Sequence, residues 1–159
     1  MKLHSLLALA LSAAALNAES MPARLVGYWT IKRILPTSNV SCWDQKQAEA
    51  LLGTRIEYRR GSMRWSDKEI PILTVITRSV TANEFIQEGG HPPPTFKELG
   101  IRTPSITEID LQHDDADVTG ASTEVPGDTI LIAGPNRIVV TACGVYYEAV
   151  RAASAKAHH

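Results

Sequence analysis

The sequence predicts an all-β domain, an antiparallel sandwich or barrel with one short helix near its front. Three observations point there. From residue 54 onward the chain is cut into short alternating or β-branched runs separated by Gly, Pro, Asn and Asp, which is how strands and turns read. A single stretch in the first third has the composition of a helix. Nothing alternates strand with helix, so a parallel sheet with crossover helices is not expected.

At 159 residues the chain is one domain's worth. A net charge of −1 with mixed signs leaves no basic stripe, which argues against nucleic acid or an anionic membrane as the main partner. Residues 1–18 read as a signal peptide. Lys2 and His4 form a short positive start, residues 6–16 are apolar, and Leu16-Asn17-Ala18 ends in a small residue suited to cleavage. That apolar run is shorter than the roughly 20 residues that span a bilayer, and no later segment is apolar enough to do so. The mature protein is therefore expected in the periplasm or secreted, with no membrane insertion. Two cysteines, Cys42 and Cys143, suggest a bridge in an exported chain.

The first strand is expected over residues 25–35, which are rich in β-branched and aromatic side chains and contain no proline. Pro36-Thr37-Ser38-Asn39 ends it with turn chemistry. Residues 41–53 read as a short helix that Ser41 or Asp44 can cap and Gly53 can stop. Residues 54–60 alternate, with Ile56 and Tyr58 facing one way and Arg55, Glu57 and Arg59 the other. Met63-Arg64-Trp65 is a further short run. Residues 70–77 are strongly β-prone, with Pro71 near the start, and residues 83–86 read as one more short strand. Residues 89–94, Gly-Gly-His-Pro-Pro-Pro, form a loop or rigid spacer. Residues 95–100 suit one helical turn stopped by Gly100. Strands over 106–112, 129–133, 137–141 and 145–151 complete the domain, with Gly134-Pro135-Asn136 as a hairpin turn. Residues 152–159 carry no core pattern and read as a disordered tail.

Gly27-Tyr28-Trp29 on the first strand and Arg151 at the end of the last carry a resemblance. They look like the Gly-x-Trp signature, and the basic residue packed across that Trp, of lipocalin-like (calycin-type) small bacterial β-barrel domains. The front helix and the final strand are similar to that group as well. The resemblance spans residues 25–151. It implies an antiparallel up-and-down β-barrel of about eight strands with one short helix after the first strand, and structural roles for Gly27, Trp29 and Arg151. The chain departs from most lipocalins in carrying its helix near the front rather than near the C-terminus. Their other signature segments are not evident, so no ligand type carries over. In such a barrel the first and last strands are antiparallel neighbours, and an arginine stacked on an indole contributes roughly 0.5–2 kcal/mol. With Arg151 opposite Trp29, Cys143 lies about level with Thr37, and Cys42 follows after a short loop. Closure therefore predicts a disulfide between Cys42 and Cys143.

Alternation along the first strand puts Gly27, Trp29, Ile31, Arg33 and Leu35 on one face. If Trp29 points inward, so does Arg33, where it needs a partner such as Glu108 or the anionic group of a ligand. Its place near the strand end also allows it to lie beyond the rim in water. Tyr58, Trp65 and Tyr147 are candidate co-lining residues, since a small barrel can hold one small molecule; the alternative is a filled barrel in which they are core. Asp115-x-Asp117-x-Thr119-Gly120 resembles the opening of a Ca²⁺ loop. Pro126 stands where the bidentate Glu belongs, however, so a solvated acidic turn is the better reading. His91 and His113 are isolated and no Cys/His spacing fits zinc, so no metal is expected. There is no Gly-x-Ser-x-Gly, no His-Glu-x-x-His and no phosphate loop, so no catalytic residue and no cofactor are expected. The expected function is non-catalytic binding of a small, partly apolar ligand in the barrel. The alternative is a protein-binding module, or an inhibitor of a secreted hydrolase, acting through loops of which the Pro-rich one is the stiffest.

Overall fold

The computed structural model describes residues 20–36, 42–88, 94–114 and 125–153. The expected signal peptide, loop residues 89–93, the acidic segment 115–124 and the tail from residue 154 lie outside the described residues. The described residues form nine strands and two short helices: β1 (Gly27–Ile34), α1 (Gln45–Glu49), β2 (Arg55–Tyr58), β3 (Ser62–Trp65), β4 (Lys68–Pro71), β5 (Thr74–Thr81), α2 (Ala82–Glu88), β6 (Ser105–Gln112), β7 (Thr129–Gly134), β8 (Arg137–Ala142) and β9 (Val145–Arg151).

All nine strands belong to one antiparallel sheet in the order β4-β3-β2-β1-β9-β8-β7-β6-β5. It is an up-and-down arrangement curled into a half-barrel, with the first and last strands paired side by side. The two edges are β4 and β5, although only Ile72 and Leu73 separate them in the chain. The backbone N–H of Ile72 donates to the Gly61 carbonyl at 3.0 Å on one edge, and that of Leu73 donates to Gln112 at 2.8 Å on the other. The run 70–77, expected as one strand, is therefore two, because the chain steps from one edge of the sheet to the other at this link. No ladder joins β4 to β5 among the described residues.

Helix starts follow side-chain chemistry. Of the two caps expected for the front helix, Asp44 is the one used: it accepts from the Gln47 N–H at 2.8 Å while the Gln47 side chain accepts from the Asp44 N–H at 2.9 Å. The stretch 83–86 is helical rather than a strand. Thr81 and Glu84 form a reciprocal cap at its start, the Thr81 N–H and hydroxyl both donating to the Glu84 carboxylate at 2.7 Å. Thr95 and Glu98 repeat the device at 2.7 and 2.9 Å and open the expected turn over 95–100. Both are Thr-x-x-Glu capping boxes, a signature legible in sequence.

The sheet is covered on both faces. Its inner face carries Trp29, Ile31, Ile56, Tyr58, Met63, Ile109, Ile130, Ile138, Val140 and Tyr147. On the outer face of β6 to β9, α2 and the turn after it pack Phe85, Phe96, Leu99 and Ile101 onto Ile106, Leu131, Val139 and Tyr146. Phe85 lies 5.4 Å from Phe96 and 6.1 Å from Tyr146, ring centroid to ring centroid. Strand β8 is thus buried on both sides, and Ile138-Val139-Val140 reads as an unbroken apolar run for that reason.

Strand β1 pairs with β9 in the register Trp29 with Arg151, Thr30 with Val150 and Ile31 with Ala149, then shifts so that Arg33 faces Glu148 and Ile34 faces Tyr147. The shift is a β-bulge, and one extra residue reverses which face each later side chain takes. Beyond it Arg33 leaves the face of Trp29 and joins the outer face. The expectation that Arg33 follows Trp29 inward fails because alternation holds only along an unbroken ladder. Past the seam, Cys42 and Cys143 are joined as a disulfide with Cα atoms 5.3 Å apart. Cys143 sits at φ +53° in the turn between β8 and β9, and its carbonyl accepts from the Cys42 N–H at 3.3 Å.

Candidate functional site

The seam is built around Trp29. Its indole N–H donates to the Leu25 carbonyl at 2.8 Å, and the Arg151 guanidinium lies over the ring, 4.3 Å from its centroid. That guanidinium also donates to the carbonyls of Val26, at 2.9 Å, and Arg24. Gly27 makes the arrangement possible. It sits at φ +126°, and a Cβ there would come within 2.9 Å of Arg151 Nη1. Gly, Trp and Arg are therefore mutually required, and every polar contact among them is internal to the protein.

Two of the four candidate ligand residues lie in the same packed interior. Tyr58 and Tyr147 are both 0% exposed, beside Trp29 at 1%. The Tyr58 hydroxyl donates to Gly127 O at 2.7 Å and the Tyr147 hydroxyl to Ala48 O at 3.1 Å. Burial pushes the Tyr58 phenol well above its ordinary range, with the Asp128 charge acting in the same direction. Gly127, at φ +88°, leaves room for that phenol, since a Cβ would meet its oxygen at 2.5 Å. These two tyrosines are framework, tying the α1 and Gly127 segments to the inner face.

Arg33 is elsewhere. Its side chain is 62% exposed on the outer face and binds Glu148 through two parallel hydrogen bonds of 3.1 and 3.0 Å. The same carboxylate accepts from Arg137 Nε at 2.6 Å, and Arg137 donates onward to the Leu99 carbonyl at 2.5 Å. The hydrogen bond from Arg33, reinforced by that from Arg137, holds the Glu148 carboxyl below the usual carboxylate range against the opposing effect of burial. Glu108, the suggested partner of Arg33, instead pairs with its cross-strand neighbour Arg78 at 2.6 Å. It is 6% exposed, and a charge so buried needs that partner.

Trp65 stands apart from the other three. It packs against the inner cluster from one side and lines a cavity of about 250 Å³ together with Thr54, Arg55, Ser66 and Asp67. The residues come from the start of β2, the end of β3 and the turn between β3 and β4, where Ser66 takes φ +55°. The Thr54 hydroxyl is tied to the Leu51 carbonyl at 2.7 Å. The Trp65 indole N–H is buried and has no hydrogen-bond partner among the described residues. Thr54, Arg55, Ser66 and Asp67 escape sequence reasoning because a rim site draws on turn and strand-end residues, and these carry no periodic signal.

Among the described residues no group of three or more His, Cys, Asp or Glu side chains is placed to hold a metal ion; Asp115, Asp117, Thr119 and Gly120 lie outside them. No protein-family model matches the sequence, and neither a curated protein nor a solved structure matches it.

Proposed function

We propose that this is a non-catalytic, exported binding protein of lipocalin-like type that takes a small, partly apolar ligand at the Trp65 end of its half-barrel. The Trp65 cavity carries the reading: an indole wall beside polar and charged rim residues is how small-molecule sites are commonly made. Its volume of about 250 Å³ lies just below the roughly 300–1,000 Å³ of drug-sized sites, so the ligand is small. Of the ligand residues expected from the sequence, Trp65 is the one that lines this cavity. The packing of Gly27, Trp29 and Arg151 supports the lipocalin-like assignment, and the disulfide between Cys42 and Cys143 fits an oxidising compartment. No helix among the described residues is long and apolar enough to cross a membrane.

Native mass spectrometry of the protein purified from its own host tests this. A retained small molecule that is lost in Trp65→Ala is the expected result; a bare chain from every growth condition would overturn it. The close-packed aromatic interior favours a second reading, a protein-binding module working from its outer surface. In that case the same purification yields a stoichiometric protein complex and no small adduct.

A further inference from the structure

We infer that the Trp65 cavity is a site for a small zwitterion, a molecule carrying both a carboxylate and an ammonium group on a partly apolar body, as a free α-amino acid does. The inference rests on the reading of this cavity as the binding site and adds the charge pattern of what it binds.

Arg55 and Asp67 line the same cavity, and neither side chain makes a hydrogen bond or ion pair among the described residues. Charges close by behave differently. Arg59 is paired with Glu57 at 2.8 Å and with Glu69 at 3.2 Å, and Glu69 also accepts from the Ser62 hydroxyl at 2.7 Å. Two opposite charges that share a cavity without meeting leave room for a ligand that carries the complement of both. The carboxylate would take the guanidinium of Arg55, which presents a planar fork suited to it, and the ammonium would take Asp67. Specificity follows from the same pair. A simple anion would leave Asp67 facing a like charge, and a simple cation would leave Arg55 facing one.

Trp65 supplies the apolar wall for the body of the ligand, and its indole N–H, buried behind that wall, reports on the site. The volume of about 250 Å³ suits a ligand the size of a single amino acid.

The test follows the indole N–H resonances of the three tryptophans in ¹⁵N-labelled protein, with that of Trp65 assigned by Trp65→Phe, or by through-bond correlation should that variant not fold. Three probes share one ring and differ in charge: phenylalanine, phenylacetate and phenethylamine. Phenylalanine is expected to shift the Trp65 signal saturably while that of Trp29 stays still. Arg55→Gln and Asp67→Asn, both at exposed positions, are each expected to weaken it by about tenfold or more, as loss of a charge-assisted contact does. Equal affinity for phenylacetate or phenethylamine would overturn the zwitterion and leave the cavity reading standing. Unchanged phenylalanine affinity in both charge variants, or no Trp65 shift with any probe, would overturn it as well. The cavity reading itself is decided independently by the retained mass in native spectra.

Discussion

Gly27 is held by two constraints at once, its backbone angle and the guanidinium beside it. Gly27→Ala meets both and is expected to cost about 1–3 kcal/mol, in the range of a strained backbone position, read as a lower urea midpoint. Arg151→Lys keeps the charge but loses the fork that reaches two carbonyls, and should destabilise in the same assay without altering the fold. On the opposite face Glu148 makes the protein's acid response predictable. Its carboxyl is held low in the folded state by Arg33 and Arg137, so its contribution is complete above the unfolded value, about 4.3 for a free glutamate. That contribution is lost as pH falls through the lower, folded value. Glu148→Gln should flatten the loss of stability between pH about 4.3 and the acid limit, measured as urea midpoints across that range. An unchanged slope would assign the acid sensitivity to other carboxylates.

At the scale of the element, what could be read in advance and what could not divide along physical lines. The register of Trp29 against Arg151 was legible because a bulky indole and its cation mark fixed positions on two strands, and the position of the disulfide follows from that register. The bulge after Ile31 was not legible, since an inserted residue leaves the sequence pattern intact and changes only which face it describes. The step at Ile72 and Leu73 was hidden in the same way, inside a continuous β-prone run. Helix α2 has a legible start, Thr81-x-x-Glu84, but it follows directly on the β-branched run of β5, whose strand pattern masks it. Thr81→Ala is expected to cost about 0.5–2 kcal/mol and to loosen Phe85 from Tyr146, visible in the aromatic NMR signals. The bridge spans a sequence separation of 101, so replacing Cys42 and Cys143 together with Ala should remove about 4–5 kcal/mol in the chain-entropy picture, measured by thermal or urea unfolding against the oxidised parent.

Over the whole molecule, the half-barrel is supported unevenly. Strands β8 and β9 are packed on both faces and lie beside the seam, whereas β4 is an edge of four residues with exposed Lys68, Glu69 and Pro71. Hydrogen exchange should therefore be slowest along β8 and β9 and fastest along β4; uniform protection would mean that β4 is held by contacts outside the described residues. The break between β4 and β5 has a further consequence, for the route by which the chain folds. The Ala152 N–H donates to the Tyr28 carbonyl at 2.8 Å, so the two ends of the domain lie side by side. If those ends were joined and the chain opened between Ile72 and Leu73, strand order along the new sequence would be the strand order of the sheet. Every pairing would then be between neighbours. In the natural connectivity the pairing of β1 with β9 joins the extremes of the domain, so it carries the largest loop-closure entropy and raises the contact order. A circular permutant cut at that link should reach the same sheet faster than the parent does, because its chain need never close the long way round.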